Sequence, residues 1–116
     1  MHSRFSILLR ARPWLRSVFI VIGFSFPGLV LAQSEILLTN GIAYEGSRGG
    51  LFGFGGEETY FRIVVPAGQP KLTVETVGGR GDVDVYVRRG ARPTATAFDG
   101  VGRGPTTVET VTINNP

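Results

Sequence analysis

Cysteine is absent from this sequence, and histidine occurs once, as His2. Without cysteine there is no disulfide, no thiol nucleophile and no zinc site built from Cys and His. With the one histidine at the second position, a Ser-His-Asp triad cannot form around Ser34 or Ser47, the only serines after residue 32. A pair of acids could in principle serve a glycosidase, but nothing suggests a substrate cleft. The expectation is a protein that is not an enzyme. Helical periodicity is missing too, since no window after residue 32 repeats at 3.6 residues. The positive charge is local. Lys and Arg number 12 against 9 Asp and Glu, a net charge of +3. Four of the arginines (Arg4, Arg10, Arg12, Arg16) fall in the first 32 residues and none of the acids do, which leaves 8 basic and 9 acidic residues beyond, net −1. Nucleic-acid binding thereby loses its main support.

Those first 32 residues read as a secretory signal. An arginine-bearing leader precedes an almost unbroken apolar run from Ser17 to Leu31, Pro27-Gly28 interrupts it near its end, and Val30-Leu31-Ala32 offers the small residues a signal peptidase reads. The run is short against the ~20 residues that span a bilayer, which favours cleavage after Ala32 over retention as an anchor. The expected organisation is a signal peptide at 1–32 and one domain at 33–116. The domain would be secreted or periplasmic, free of the membrane once the signal is cut, and able to bury only a modest core.

The chain after the signal is organised around residues 78–90. Gly78-Gly79-Arg80-Gly81 is a turn in which the backbone can take positive φ, and strict alternation follows. Val83, Val85 and Val87 share one face, and Asp82, Asp84, Tyr86 and Arg88 the other. The valine face is expected to meet the core. Elsewhere Glu58 to Val65, Lys71 to Val77 and Thr106 to Ile113 read as strands, with Pro66 ending the first. Thr39-Asn40-Gly41 reads as a bend leading into a strand at Ile42-Ala43-Tyr44, and Thr94 to Phe98 as a weak strand or a loop. Five or six short strands separated by turns indicate an all-β, antiparallel β-sandwich.

Gly81-Asp82-Val83-Asp84-Val85-Tyr86-Val87-Arg88, followed by Gly90, Pro93 and Phe98-Asp99, resembles the bacterial pre-peptidase C-terminal domain. Tyr60-Phe61-Arg62-Ile63-Val64-Val65-Pro66-Ala67-Gly68 and Leu72-Thr73-Val74 fit the same family's strands, so the resemblance covers roughly Leu37 to Pro116. It implies a jelly-roll-like sandwich that, beside the family pattern, lacks its last one or two strands. It also implies a non-catalytic module that accompanies a secreted peptidase.

Three groups of residues are candidates for a site. Asp82, Asp84 and Asp99 supply hard oxygen ligands that could hold calcium, which some relatives in the family bind. The alternative is that Asp82 and Asp84 accept backbone N–H bonds at the turn. Phe52 and Phe54 lie in the glycine-rich stretch from Ser47 to Gly56, either capping the core or tipping a binding loop. Tyr86 and Arg88 could present a binding surface. Arg80-Gly81-Asp82 spells a cell-adhesion tripeptide, but the family motif already accounts for its aspartate. Two functions are left open: a secretion, localisation or binding module whose partner is a secreted peptidase, an extracellular polymer or a cell-surface component, and a structural or vestigial fragment of a secreted peptidase that needs a partner for stability.

Overall fold

The structure, a computed structural model, describes residues 2–11, 34–44, 58–79 and 81–116. Phe52, Phe54, Arg80 and the apolar run beginning at Ser17 lie outside the described residues. Seven strands are present among those described: β1 (His2–Ala11), β2 (Ile36–Leu37), β3 (Glu58–Pro66), β4 (Lys71–Thr76), β5 (Val83–Arg89), β6 (Gly100–Gly102) and β7 (Glu109–Asn114). They form a five-stranded sheet in the order β2-β3-β1-β5-β6 and a two-stranded sheet of β4 and β7. No helix occurs among the described residues. The fold is an all-β sandwich, antiparallel throughout except for the two-residue parallel pairing of β2 with β3.

The alternation at Val83 is realised as expected. Val85 and Val87 are fully buried, and they join Phe5, Ile7, Leu9, Phe61 and Val65 of the larger sheet against Leu72 and Val111 of the smaller one. Ile36, Leu38, Ile63, Val74, Val83 and Ile113 pack around this cluster. A sheet that packs on another sheet places every second residue inward, so each of these strands contributes its apolar positions at a spacing of two. The turn before β5 takes the backbone that glycine permits, with φ of 76° at Gly78 and 113° at Gly81.

The largest departure from the sequence reading is at the N-terminus. His2–Ala11, assigned there to a leader outside the domain, forms β1, the middle strand of the larger sheet. Phe5 lies in register with Ile63 on one side and Arg89 on the other, Ile7 with Phe61 and Val87, and Leu9 with Thr59 and Val85. The physical reason is a two-residue alternation of Phe5, Ile7 and Leu9 with Ser6, Leu8 and Arg10, which suits a strand. The fold therefore draws residues from both sides of the boundary placed at residues 32 and 33.

Smaller differences have local causes. The Asn40-Gly41 turn forms, with the Ile42 N–H donating to the Thr39 carbonyl at 3.1 Å. The strand, however, precedes the turn at Ile36–Leu37, and Ile42 and Tyr44 are exposed. Val77 and Val108, assigned to strands by their side chains, fall beyond the ends of β4 and β7 and are exposed. Residues 94–98 form a loop: Thr94 and Ala97 exchange backbone hydrogen bonds, and the Thr94 Oγ1 accepts the Ala97 N–H at 3.0 Å. β6 is the strand that side-chain pattern could not announce. Its Gly100 and Gly102 let β7 approach closely, since a Cβ on Gly100 would stand 2.6 Å from the Val111 Cγ1.

Candidate functional site

The outward face of the larger sheet carries most of the candidate residues, and strand register sorts them into rows. Tyr60, Leu8, Tyr86 and Val101 form one row across β3, β1, β5 and β6. On one side of it run Arg62, Ser6 and Arg88, and on the other Glu58, Arg10 and Asp84. An aromatic and aliphatic centre is thus flanked by charge on both sides.

This face is not open to solvent at its centre. Leu8 is 1% exposed, and Tyr86 and Asp84 are each 3% exposed. Residues 91–99 fold back across the face. The Tyr60 hydroxyl donates to the Pro93 carbonyl at 3.5 Å, and the Arg92 guanidinium lies 4.7 Å from the Tyr60 ring centre. Phe98 tilts against Tyr86 with ring centres 5.6 Å apart. Arg103 lies 5.3 Å from the Tyr86 ring centre and 5.2 Å from the Phe98 ring centre, so its guanidinium caps the aromatic pair. Glu35 secures the other end, where its Oε1 accepts from Ser6 Oγ at 3.2 Å and from Arg92 Nε at 2.9 Å. β5 is therefore buried on both faces. Tyr86, expected as a surface contact, is instead a packed residue, and Arg88 is half-buried with its Nη1 donating to the Arg92 carbonyl at 3.4 Å.

The tyrosines report the dryness of this layer. Burial raises the pKa of Tyr86 above its ordinary value, and the neighbouring Asp84 charge raises it further, against an opposing effect of Arg103. Burial likewise raises Tyr60, with Glu58 adding to it and Arg92 opposing. The Tyr86 hydroxyl donates to Asp84 Oδ2 at 3.3 Å, a bond that needs the phenol protonated.

Of the three acids expected to share calcium, Asp84 and Asp99 accept from different donors. Asp84 receives the Tyr86 hydroxyl inside the sheet face. Asp99 closes the 91–99 loop: its Oδ2 accepts the Arg89 N–H at 2.7 Å while its own N–H donates to the Val87 carbonyl at 2.8 Å. Asp82 sits half-buried at the start of β5. Among the described residues, no three His, Cys, Asp or Glu side chains come together as a group that could hold a metal ion.

Arg103, Phe98, Tyr60 and Glu35 carry the architecture of this face without having been singled out as site residues. Tyr60 and the Phe98-Asp99 pair left a trace in the sequence, as parts of the family pattern. Glu109 is a further case. It is buried at the start of β7, its Oε1 accepts the Gly104 N–H, and its own N–H donates to the Thr76 Oγ1 at 3.0 Å. Between the two sheets, on the opposite side of β1 and β3, the described residues leave an apolar cleft of about 660 Å³ lined by Leu38, Tyr44, Phe61, Ile63, Val74 and Val77.

Comparison with known proteins places this geometry. No solved structure matches the chain at a significant level. Alkaline serine exoprotease A of Vibrio alginolyticus is 45% identical over 62 residues, which is 53% of this chain and 11% of that enzyme. The chain thus spans about a tenth of the length of the relative it matches. The family pattern of the bacterial pre-peptidase C-terminal domain matches residues 57–116, just over half of the sequence and the part that holds β3 to β7. On that match the chain belongs to the bacterial pre-peptidase C-terminal domain family.

Proposed function

We propose that this chain is an exported, non-catalytic β-sandwich module that assists the secretion or localisation of a peptidase or binds an extracellular polymer or cell-surface component. The observation that carries this reading is the family match over residues 57–116, a stretch shared in part with a named serine exoprotease. That stretch contains no histidine and no cysteine, so it does not itself hold a Ser-His-Asp or Cys-His centre. Export rests on the arginine leader, the apolar run and Val30-Leu31-Ala32. The binding role rests on the guanidinium groups of Arg92 and Arg103, held 4.7 Å from the Tyr60 ring centre and 5.3 Å from the Tyr86 ring centre at the rim of the outward face. Expression in a Gram-negative host followed by intact mass measurement of the exported fraction tests it. The expected mature protein begins at Gln33, and an intact Met1 confined to a membrane fraction overturns export.

A second reading, a structural fragment that depends on a partner for stability, draws on one observation. The smaller layer has only two strands among the described residues, and Val77 and Val108 beside it are 80% and 59% exposed. A monodisperse, cooperatively melting protein favours the module. Concentration-dependent aggregation favours the fragment.

A further inference from the structure

β1 occupies a position that no other described strand shares. It is antiparallel to both β3 and β5, so those two run parallel to each other with one strand's width between them. From Phe5 to Arg10 every residue of β1 has a register partner on both sides. Without β1, β3 and β5 would present facing rows of unpaired N–H and C=O groups roughly 10 Å apart, about twice the ordinary strand spacing. The inner core would also lose Phe5, Ile7 and Leu9, and the outward row would lose Leu8.

The residues that fill this gap are also those of the arginine leader. On the export reading they depart with the signal peptide, and this inference rests on that reading for the moment at which the gap opens. We propose that the gap between β3 and β5 is a strand-acceptor site for an extended segment of another polypeptide, with His2–Ala11 as its built-in placeholder. The placeholder specifies the chemistry of the incoming strand. It runs antiparallel to β3 and β5, carries large apolar side chains at alternate positions as Phe5, Ile7 and Leu9 do, and has an apolar residue at the Leu8 position between Tyr60 and Tyr86. It ends in a cation at the Arg10 position, where Arg10 Nε lies 3.9 Å from Glu58 Oε1 and in register with Asp84. Backbone pairing on two edges supplies affinity, and the alternating pockets supply selectivity.

The test uses the full chain with a weakened placeholder, Ile7→Asp together with Leu9→Asp, and a synthetic peptide identical to residues 2–11 added in trans. The double variant is expected to melt well below the wild type or to be unfolded. Wild-type peptide is expected to restore a cooperative melt whose midpoint rises with the logarithm of peptide concentration. A labelled copy of the peptide should gain fluorescence anisotropy on the variant, while a peptide carrying Ile7→Asp should do neither. The proposal is overturned by a double variant that melts with the wild type, by the absence of rescue at millimolar peptide, or by equal rescue from the Ile7→Asp peptide. It is also overturned if the wild-type chain elutes as a dimer, which would assign the gap to a second copy of this chain. These readouts come from purified full-length protein, so they stand apart from the mass measurement that decides export.

Discussion

Val85 and Arg88 lie three positions apart on one strand, and their environments differ sharply. Val85 is 0% exposed and faces the inter-sheet core. Arg88 is half-buried on the outward face, where its Nη1 donates to the Arg92 carbonyl at 3.4 Å. Val85→Asp is expected to cost more than about 4 kcal/mol and to abolish the cooperative melt, because an unpaired carboxylate would be forced into the core. Arg88→Ala is expected to cost about 1 kcal/mol or less. Equal melting temperatures would mean that the strand is displaced by one residue, since such a slip exchanges its faces. Tyr86 gives a pH prediction. Its folded-state pKa is raised by burial and by Asp84, so the neutral phenol is the form that folding favours. A raised folded pKa contributes stability that is fully present below the ordinary value of 10.0 and is lost as pH climbs through the folded value. Thermal stability is therefore expected to fall above pH 10, with Tyr60 acting in the same direction. Tyr86→Phe should flatten part of that alkaline decline while lowering stability at neutral pH by ~1–3 kcal/mol, because Asp84 stays buried and loses a donor. An unchanged alkaline slope in Tyr86→Phe would remove Tyr86 as a source of the decline.

Single elements differ in how openly they show in the sequence. β3, β4 and β5 were legible because β-branched and aromatic residues alternate with polar ones, and their ends carry proline or glycine. β1 was not, although it alternates too. Its arginines and the apolar run beyond it match a targeting signal, and that pattern masked the spacing of Phe5, Ile7 and Leu9. β6 was invisible because Gly-Val-Gly has no strand propensity of its own. Its place is set by β7, whose Val111 and Ile113 lie against Gly100 and whose Glu109 lies against Gly102. That dependence is testable. Gly100→Ala is expected to destabilise by ~1–3 kcal/mol in a thermal melt, since its Cβ would enter the space of Val111 and Ile113. A companion Val111→Ala change should recover part of the loss by vacating that space. Failure to recover would place the strain in the backbone of β6.

At the scale of the molecule, the sandwich and its valine-lined core followed from strand count and alternation, whereas the candidate site did not. Burial of Tyr86 depends on residues 91–99 crossing back over β5, a path set by Pro93, Thr94 and Asp99 through bonds that local pattern does not encode. The same holds for the acids: Asp84 and Asp99 were grouped with Asp82 as candidate oxygen ligands, yet three-dimensional placement gives Asp84 and Asp99 different donors. The central position of β1 has a further consequence in time. Leu8 is paired with Tyr60 and Tyr86, so β1, which precedes β3 and β5 in sequence, gains its second neighbour only after β5 has been made. At roughly 5–20 residues per second, residues 83–89 follow it by several seconds. Closing so long a loop is slow compared with local hairpins such as the one that joins β5 to β6. Throughout that interval β1 has β3 as its one available neighbour, Phe5, Ile7 and Leu9 lack the β5 side of their core, and the speed of elongation sets how long that edge stays open.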